Sequence, residues 1–291
     1  MTAQLRTKNL LHLEDVYKSY GTKRVLDDID LSVAPGEFCT VVGPSGCGKS
    51  TLLRLILGQE QPDSGEILVS GMPVGLPDAS RGIVYQKYSL YPHLTTLENV
   101  MLGKDLAGSL VSRGTLRRTY RDEAMAMLER VRLAGHADKF PHELSGGMQQ
   151  RVAIVQTLIM RPQIVLMDEP FGALDPGVRE DLQVFLLELW EELGLTIFFV
   201  THDLEEGVYL GTRLLVLSQY YTDARGDAAE VTRGAKIVAD HSLSKEAQST
   251  KVKNAHRFAD LIADIKHVGF DATYRQHIDD FNLKHPDSFR T

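Results

Sequence analysis

The chain has 291 residues, of which 43% are hydrophobic, and its formal net charge is −7 at pH 7. A chain of this size can bury a substantial core and fold unaided, either as one large domain or as a domain with an added lobe and tail. Because nonspecific affinity for nucleic acid comes mainly from clustered Lys and Arg, the acidic balance argues against nucleic acid as the main partner.

The longest apolar runs, such as 164–167 and 197–200, fall far below the roughly 18 to 20 residues that span a bilayer, so any membrane role is predicted to be peripheral. The first residues carry neither an apolar h-region nor a small-residue cleavage site, which predicts a cytoplasmic chain. Cys39 and Cys47 have no partner Cys or His at metal-ligand spacing, and we expect two reduced thiols.

The predicted elements begin with an alternating strand at 11–17 and a buried strand at 38–42. Three further apolar runs predict buried strands at 164–167, 196–200 and 214–217. A helix with one apolar face lies between the first two of these and ends at Gly194, as helices that cross over a parallel sheet do. The sequence therefore predicts an α/β architecture.

From about 95 to 160 the pattern is helical only, which predicts a helical lobe inserted into the sheet domain. After Ser218 the sequence is polar and irregular as far as Asp240, and an amphipathic helix follows around Phe258. We predict that this helix packs on protein rather than on lipid, because its polar face mixes Asp with Lys and Arg.

The segment GPSGCGKST fits G-x-x-x-x-G-K-[ST] and lies between a predicted strand and a predicted helix. Its glycines let the backbone curl so that N–H groups face phosphate oxygens, and the helix N-terminus adds its positive end. Lys49 is predicted to neutralise the β- and γ-phosphates, and Ser50 to bind Mg²⁺ through its hydroxyl. The predicted nucleotide-binding loop comprises Gly43, Pro44, Ser45, Gly46, Cys47, Gly48, Lys49, Ser50 and Thr51.

Two interpretations of Cys47 stay open at the sequence level. The thiol is either a small side chain that fits a variable position of the loop, or a group that a thiol reagent alkylates with loss of ATP binding.

Polar residues at the ends of other predicted strands suit hydrolysis. Asp168 and Glu169 follow the strand 164–167, where Asp168 is predicted to support Mg²⁺ and Glu169 to orient or deprotonate the attacking water. His202 follows the strand 196–200 and is a candidate donor to the γ-phosphate, and Gln86 is a candidate sensor of the metal or the water. Each has an ordinary structural alternative, such as an acidic strand-end turn or a structural histidine.

The segment LSGGMQQR at 144–151, taken with these motifs in their order, resembles the ABC ATPase family over residues 11–220. The resemblance implies a P-loop NTPase core of the RecA-like kind, with a parallel sheet, an N-terminal antiparallel β portion and an inserted helical lobe. It implies that Tyr20 stacks on adenine, that Asp175 contributes to the nucleotide site, and that two cassettes pair head to tail. Each ATP then also contacts the other subunit's Ser145, Gly146 and Gly147.

The segment 85–100 resembles that of importers of the nitrate, sulfonate and taurine group. This implies an integral membrane permease seated on Tyr88, Leu90, Tyr91 and Leu94, although these side chains are equally suited to packing the helical lobe. It also implies a location on the cytoplasmic face of the inner membrane and, indirectly, an extracytoplasmic solute-binding protein. The solute is expected to be a small oxyanion or a small nitrogen compound.

Two rival classes share the nucleotide motifs: a soluble ABC ATPase that acts on DNA or ribosomes, and a regulatory module without turnover. The acidic charge disfavours the first, and the presence of Glu169 and His202 disfavours the second. The extension 221–291 is a candidate regulatory segment. Its histidines, which fit no metal spacing, are His241, His256, His267, His277 and His285.

The sequence departs from the family's pattern at Met148, where Gln is usual, at Gln156, where Arg is frequent, and at Gly207 and Gly211. If both glycines lie inside a helix after His202, each is expected to destabilise it by about 1 kcal/mol.

Overall fold

The computed structural model describes residues 9–87, 89–107, 113–225, 233–243 and 256–288. The chain divides into two compact units, one comprising 1–77 with 190–291 and the other 78–189. Tyr88, one of the predicted permease contacts, and the side chain of His256 lie outside the described residues.

The first unit begins with an antiparallel sheet in the strand order β2-β1-β4-β5. Its strands are β1 (Leu11–Tyr20), β2 (Lys23–Val33), β4 (Ser64–Val69) and β5 (Met72–Pro73). Leu11 and Leu13 are buried at 1% exposure or less, and His12 between them is also buried and bonds the Ser32 hydroxyl at 2.9 Å. Strand β1 pairs antiparallel with β2 and with β4. The predicted N-terminal antiparallel portion is therefore confirmed.

The same unit contains parallel strands whose apolar runs are buried on both faces. Strand β3 (Phe38–Val42) pairs in parallel with β8 (Thr196–Val200) on one side and with β9 (Arg213–Ser218) on the other. Continuous apolar runs of this kind are typical of parallel strands, since both faces are covered. The helices of this unit are α1 (Lys49–Leu57), α6 (Leu204–Leu210) and α7 (His256–Phe270).

The second unit holds two parallel strands and most of the helices. Strands β6 (Arg81–Tyr85) and β7 (Ile164–Asp168) pair in register from Arg81 with Ile164 to Tyr85 with Asp168. Its helices are α2 (Thr96–Ala107), α3 (Arg113–Arg130), α4 (Gly146–Leu158) and α5 (Pro176–Leu193), with 3-10 turns at Ala134–His136 and Pro141–Glu143. Helix α5 is counted with the first unit from Trp190 on. Three of these helices occupy the stretch predicted as a helical lobe, and its status as a domain stays a prediction.

The stretch between Ser218 and Asp240, expected to be irregular, contains part of a strand. Strand β11 (Lys236–Ser242) pairs antiparallel with β9, and β13 (Asn282–Leu283) pairs in parallel with β11. Strand β10 (Tyr221–Thr222) pairs in parallel with β12 (Gln276–His277), which leads into a 3-10 turn at Ile278–Asp280. The irregular interpretation was wrong because the buried residues of β11 are consecutive, at 238–240, so the sequence shows no alternation, and the buried charge of Asp240 is offset by Arg213.

Helix α7 packs its apolar face on this part of the sheet. Ile265 is fully buried in a cluster with Val216 and Val238, as its amphipathic pattern predicts. A Cβ on Gly269 would lie 2.4 Å from Cγ1 of Val216, and the hydroxyl of Ser218 donates to the Gly269 carbonyl at 2.8 Å. The described part of the extension therefore belongs to the core of the first unit.

A buried ion pair crosses the sheet between β9 and β11. The Arg213 guanidinium, fully buried, donates from Nε and Nη2 to the two carboxylate oxygens of Asp240 at 2.9 and 2.7 Å, and from Nη1 to the Ser32 carbonyl at 2.5 Å. Because both oxygens of Asp240 and most of the guanidinium are bonded, the pair satisfies the desolvated charges. The Ser288 hydroxyl also bonds Asp240, which ties the last described residue to this pair.

A second charge network joins the start of the extension to β2. The Tyr221 hydroxyl and Arg225 Nη2 donate to one oxygen of Asp27 at 2.9 and 2.7 Å. Burial raises the pKa of Asp27, but the bonds from Arg225 and Tyr221 outweigh it, and its pKa lies below the ordinary value. Hydrogen bonds from Arg225 lower the pKa of Asp223 to about 2.

Within the described residues, no helix is both long enough and apolar enough to cross a bilayer.

We expect Arg225→Gln to destabilise the protein at neutral pH and to do so progressively less as the pH falls. Arg225 lowers the pKa values of Asp27 and Asp223 in the folded protein. Such carboxylates stabilise the fold above their unfolded pKa, and this contribution is lost as the pH falls through their folded pKa. The gap between the urea midpoints of variant and wild type should therefore close between about pH 5 and pH 2. Arg118→Gln, at an exposed site on α3, makes the same charge change and should show no such gap. A gap that is constant with pH would contradict the assignment.

Candidate nucleotide site

The phosphate loop follows β3 and leads directly into α1, as predicted. Gly46 and Gly48 have φ of 76° and 112°, in the left-handed region that favours glycine, and Gly48 caps α1. A Cβ on Gly43 would lie 2.1 Å from the Leu217 carbonyl oxygen, and one on Gly48 would lie 2.9 Å from side-chain atoms of Val25 and Leu26. The loop's path therefore requires glycine at these positions.

Lys49 is held against the inside of the loop. Its ammonium donates to the carbonyl oxygens of Gly43 and Pro44 at 2.7 and 3.0 Å, and the side chain is 6% exposed. A cation is thus fixed at the start of α1, where backbone N–H groups and the helix dipole also favour an anion. The Thr51 hydroxyl accepts a bond from Arg54 at 3.2 Å.

The structure bears on the two interpretations of Cys47. The residue is 2% exposed, and burial raises the pKa of its thiol despite the nearby Lys49 ammonium. Alkylation needs an accessible thiolate, and both observations oppose it. The structure therefore favours Cys47 as a small side chain that fits the loop, and alkylation with loss of ATP binding stays a prediction.

Tyr20 presents its ring at the end of β1. The ring is 44% exposed, its hydroxyl donates to Glu60 at 2.5 Å and accepts from Arg54 at 3.2 Å, and the Lys18 ammonium lies 5.6 Å from the ring centroid. The edge of the ring is therefore anchored while its surface stays open enough to stack on a base.

His202 lies at the same sheet edge as the phosphate loop. In the parallel pairing of β3 with β8, Val41 is opposite Val200, so the chain reaches Gly43 and His202 two residues beyond that pair. The His202 side chain is exposed. The strand-end prediction thus holds for this residue, because parallel strands deliver their carboxyl ends to one edge.

The two glycines after His202 differ in their position relative to α6. Gly211 is the C-cap of α6, and Gly207 faces β3, where a Cβ would lie 2.9 Å from Cγ1 of Val42. The condition for the expected destabilisation fails for Gly211, which lies outside the helix, and holds for Gly207, whose missing side chain lets the helix approach β3 closely.

In the second unit, Gln86 and Glu169 meet at one edge. They follow the paired residues Tyr85 and Asp168, and a Cβ on Gly172 would lie 3.0 Å from the Gln86 amide nitrogen. Glu169 has φ of 47°, and its carbonyl accepts from the Gly172 N–H at 3.1 Å. A left-handed conformation at a non-glycine residue is strained, and such strain clusters at functional sites.

The signature segment begins α4. Ser145 is the N-cap and accepts a long 3.4 Å bond from the Met148 N–H, while its side chain is exposed. Gly147 is buried, and a Cβ there would lie 2.5 Å from Cγ1 of Val178 on α5. Asp175 is exposed just before α5.

Each unit therefore carries its own group of predicted site residues. The first contains Tyr20, the phosphate loop and His202, and the second contains Gln86, Asp168, Glu169, the signature glycines and Asp175. The donors predicted for Mg²⁺ are the Ser50 hydroxyl, the Gln86 amide and the Asp168 carboxylate. These are all oxygen ligands of the hard type that Mg²⁺ prefers. The glycine-lined loop suits a polyphosphate, so the residues fit both Mg²⁺ and a nucleotide.

Sequence reasoning missed the residues that hold these groups in place. Glu60 and Arg54 anchor Tyr20, and Thr201 and Glu206 bond each other beside His202. Asn99, fully buried, bonds the backbone of the segment that follows Gln86. The contact of Glu60 with Tyr20 spans 40 residues of sequence, and no local pattern signals it.

A family model described as "ABC transporter" matches residues 26–172. An uncharacterized ABC transporter ATP-binding protein of Methanocaldococcus jannaschii is 46% identical over 220 residues, which cover 75% of this chain and 79% of the relative. The aliphatic sulfonates import ATP-binding protein of Bacillus anthracis is 41% identical over 202 residues, which cover 69% of this chain and 77% of the relative. The spermidine/putrescine import ATP-binding protein of Nitrosospira multiformis is 40% identical over 231 residues, covering 78% of this chain but 60% of that longer relative.

A dimeric structure of a post-hydrolysis state of the ATP-binding cassette MJ0796, bound to ADP and Pi, aligns with a TM-score of 0.64 at 30% identity. It covers 80% of this chain and 99% of that one.

We expect Gly48→Ala to weaken ATP binding by about tenfold or more. A left-handed alanine costs about 1–2 kcal/mol, and its methyl group would press on Val25 and Leu26. Titration calorimetry with the nonhydrolysed nucleotide measures the effect. Gly135→Ala, where a Cβ meets nothing within 4 Å, is the matched control. Wild-type affinity in a folded Gly48→Ala protein would contradict the conformational requirement.

Proposed function

This chain belongs to the ABC transporter family, as an ATP-binding subunit that is an ATPase, and from that premise we propose that it powers uptake of a small solute through a separate membrane permease. The observation that carries the proposal is the pairing of strand ends. Strands β3 and β8 bring the phosphate loop and His202 together in the first unit, and β6 and β7 bring Gln86 and Glu169 together in the second.

ATP is bound by the phosphate loop. Backbone N–H groups of the loop and of the N-terminus of α1 donate to the phosphate oxygens. The Lys49 ammonium leaves its loop carbonyls for the β- and γ-phosphate oxygens, and the adenine stacks on Tyr20. Ser50 of the first unit and Gln86 and Asp168 of the second would supply the oxygen ligands of Mg²⁺, which would neutralise part of the phosphate charge.

Hydrolysis uses the strand-end side chains. Glu169 orients the attacking water and accepts its proton, the new bond forms between water oxygen and γ-phosphorus, and the bond from that phosphorus to ADP breaks. The His202 ring donates to a γ-phosphate oxygen and stabilises the charge that develops there. The strained backbone at Glu169 supports this role, because strain of that kind persists where a side chain must be aimed.

A second cassette completes the site. The exposed Ser145 and the start of α4 form an anion site that suits the γ-phosphate of the other subunit's ATP, with Asp175 nearby in that contact. In a two-fold pair, the phosphate loop of each chain faces the signature segment of the other, so the complete site forms twice. The dimeric, ADP-bound and Pi-bound relative supports this arrangement.

The segment after Gln86 is proposed to receive the permease. Residues 85–87 are exposed and Tyr91 is 47% exposed, whereas the buried Asn99 amide donates to the carbonyls of Tyr91 and Leu94 at 3.1 and 3.0 Å and accepts from the Tyr91 N–H at 2.7 Å. An exposed aromatic segment on a fixed backbone suits a partner surface. Movement of Gln86 with the nucleotide then reaches the permease through the same segment.

The solute is proposed to be a small oxyanion, such as a sulfonate, or a small nitrogen compound. Relatives of nearly equal identity carry the names of sulfonate and polyamine importers, so similarity of the cassette does not choose between them. We place the cassette on the cytoplasmic face of the membrane, with a solute-binding protein acting on the permease from the other side. Importer names among the relatives favour this over an ABC ATPase that acts on DNA or ribosomes.

We expect Glu169→Gln to lower kcat by more than about 100-fold while ATP still binds, because the amide cannot accept the proton. Held in Mg-ATP, the tagged variant should copurify with a multi-helix permease from membranes dissolved in mild detergent. Wild type in ADP is the matched comparison. Recovery of ribosomes or DNA instead would favour the rival class, and recovery of the soluble chain alone would contradict the permease proposal.

We expect Tyr91→Ala to lower coupled transport several-fold while the ATPase rate of the isolated cassette stays at the wild-type level. The side chain is exposed, so its loss should not affect the fold, and its removal takes away apolar contact with the permease. Uptake by cells and ATPase of the purified chain are measured in parallel. Phe140→Ala, an exposed aromatic position in the same unit, is the control. Unchanged transport in Tyr91→Ala would argue against docking at this segment.

A further inference from the structure

The loop that carries His202 contains a buried hydrogen-bond network. The Thr201 hydroxyl donates to a carboxylate oxygen of Glu206 at 2.5 Å and accepts from the Asp203 N–H at 3.0 Å. Thr201 is 2% exposed and Glu206 is 6% exposed, although the side chain of His202 between them is exposed. A hydroxyl with two partners across a five-residue span fixes the backbone on both sides of His202.

The buried carboxylate has a local reason to be there. Asp203 is the N-cap of α6, and its Oδ1 accepts from the N–H groups of Glu205 and Glu206 at 3.0 and 3.2 Å. Glu206 is the third residue of the helix, where the positive end of the helix dipole favours a negative charge. These bonds join Thr201, Asp203 and Glu206 into one closed network, and His202 lies between them in the sequence. We call it the His202-loop network.

The His202-loop network is attached to β3, the strand that the phosphate loop follows. The Thr40 hydroxyl on β3 donates to the Gly207 carbonyl at 3.0 Å, one residue beyond Glu206. Because Gly207 has no side chain, α6 approaches Val42 closely at the same point. The position of His202 is thus set relative to the end of β3, where the phosphate loop begins.

We propose that Thr201 and Glu206 are positioning residues for His202, which hold its imidazole ready to donate to the γ-phosphate. The inference rests on the proposed function, which gives His202 that role. A donor aimed beforehand at developing charge needs no reorganisation during the reaction, and a displacement of about 1 Å can lower a rate by about 100-fold. Neither residue touches the nucleotide in this assignment, and both act through His202.

The test is a double-mutant cycle on the full chain. Thr201→Val and Glu206→Leu remove the network, Thr201→Ser and Glu206→Gln retain a donor and an acceptor, and Glu205→Gln changes the exposed neighbour as a control. Each is made in the wild-type and His202→Ala backgrounds. The measurements are kcat and KM for ATP, nucleotide affinity and the melting temperature.

We expect Thr201→Val and Glu206→Leu to lower kcat by about tenfold or more, with KM and nucleotide affinity within about twofold, because the lost stabilisation belongs to the transition state. Thr201→Ser and Glu206→Gln should recover most of the rate. In the His202→Ala background the same changes should have no further effect on kcat.

Losses that multiply in the His202→Ala background would overturn the inference, since the network would then act on something other than His202. Wild-type kcat in folded Thr201→Val would overturn the inference as well. If His202→Ala were nevertheless slow, the proposed function would still stand. Wild-type kcat in His202→Ala would overturn the role of His202 itself. Should Thr201→Val or Glu206→Leu fail to fold, Thr201→Ala and Glu206→Ala, which also remove the hydrogen bond, take their places in the cycle with the same expected and contradicting results.

Discussion

Parallel strand pairing is the constraint on which the candidate site depends. Residues paired in a parallel ladder end at the same edge, so the register of Val41 with Val200 determines where both Gly43 and His202 lie. The register of Tyr85 with Asp168 does the same for Gln86 and Glu169. A slip of one residue in either pair would turn every side chain to the other face and separate the chemical groups.

Close backbone packing is the second recurrent feature. At Gly43 the neighbouring group is a backbone carbonyl, at Gly147 it is Val178, and at Gly207 it is Val42. In each case an added Cβ would fall below 3.0 Å from a heavy atom. These glycines let functional loops and helices lie directly against neighbouring elements, which limits how far thermal motion can displace them.

Much of the fold could be predicted from the sequence, because long apolar runs such as 38–42 and 196–200 report buried strands without knowledge of their partners. The loop and strand-end residues were predictable for a similar reason, since each motif is local. The residues that hold these site residues in place could not be predicted, because most of their contacts join distant parts of the sequence. Glu60 reaches Tyr20 across 40 residues, Asn99 satisfies carbonyls of a preceding segment, and the buried Asp240 of β11 pairs with Arg213, 27 residues away.

The close contact of α7 with the sheet bears on how the extension has evolved. Gly269 lies on Val216, and Ile265 is buried with Val238, so the described part of the extension shares its core with the strand beside the phosphate loop. Segments attached through a linker can be gained, lost or exchanged between genes as modules. A segment built into the core cannot be removed in this way without exposing β9, and a larger side chain at Gly269 fits only with a smaller one at Val216.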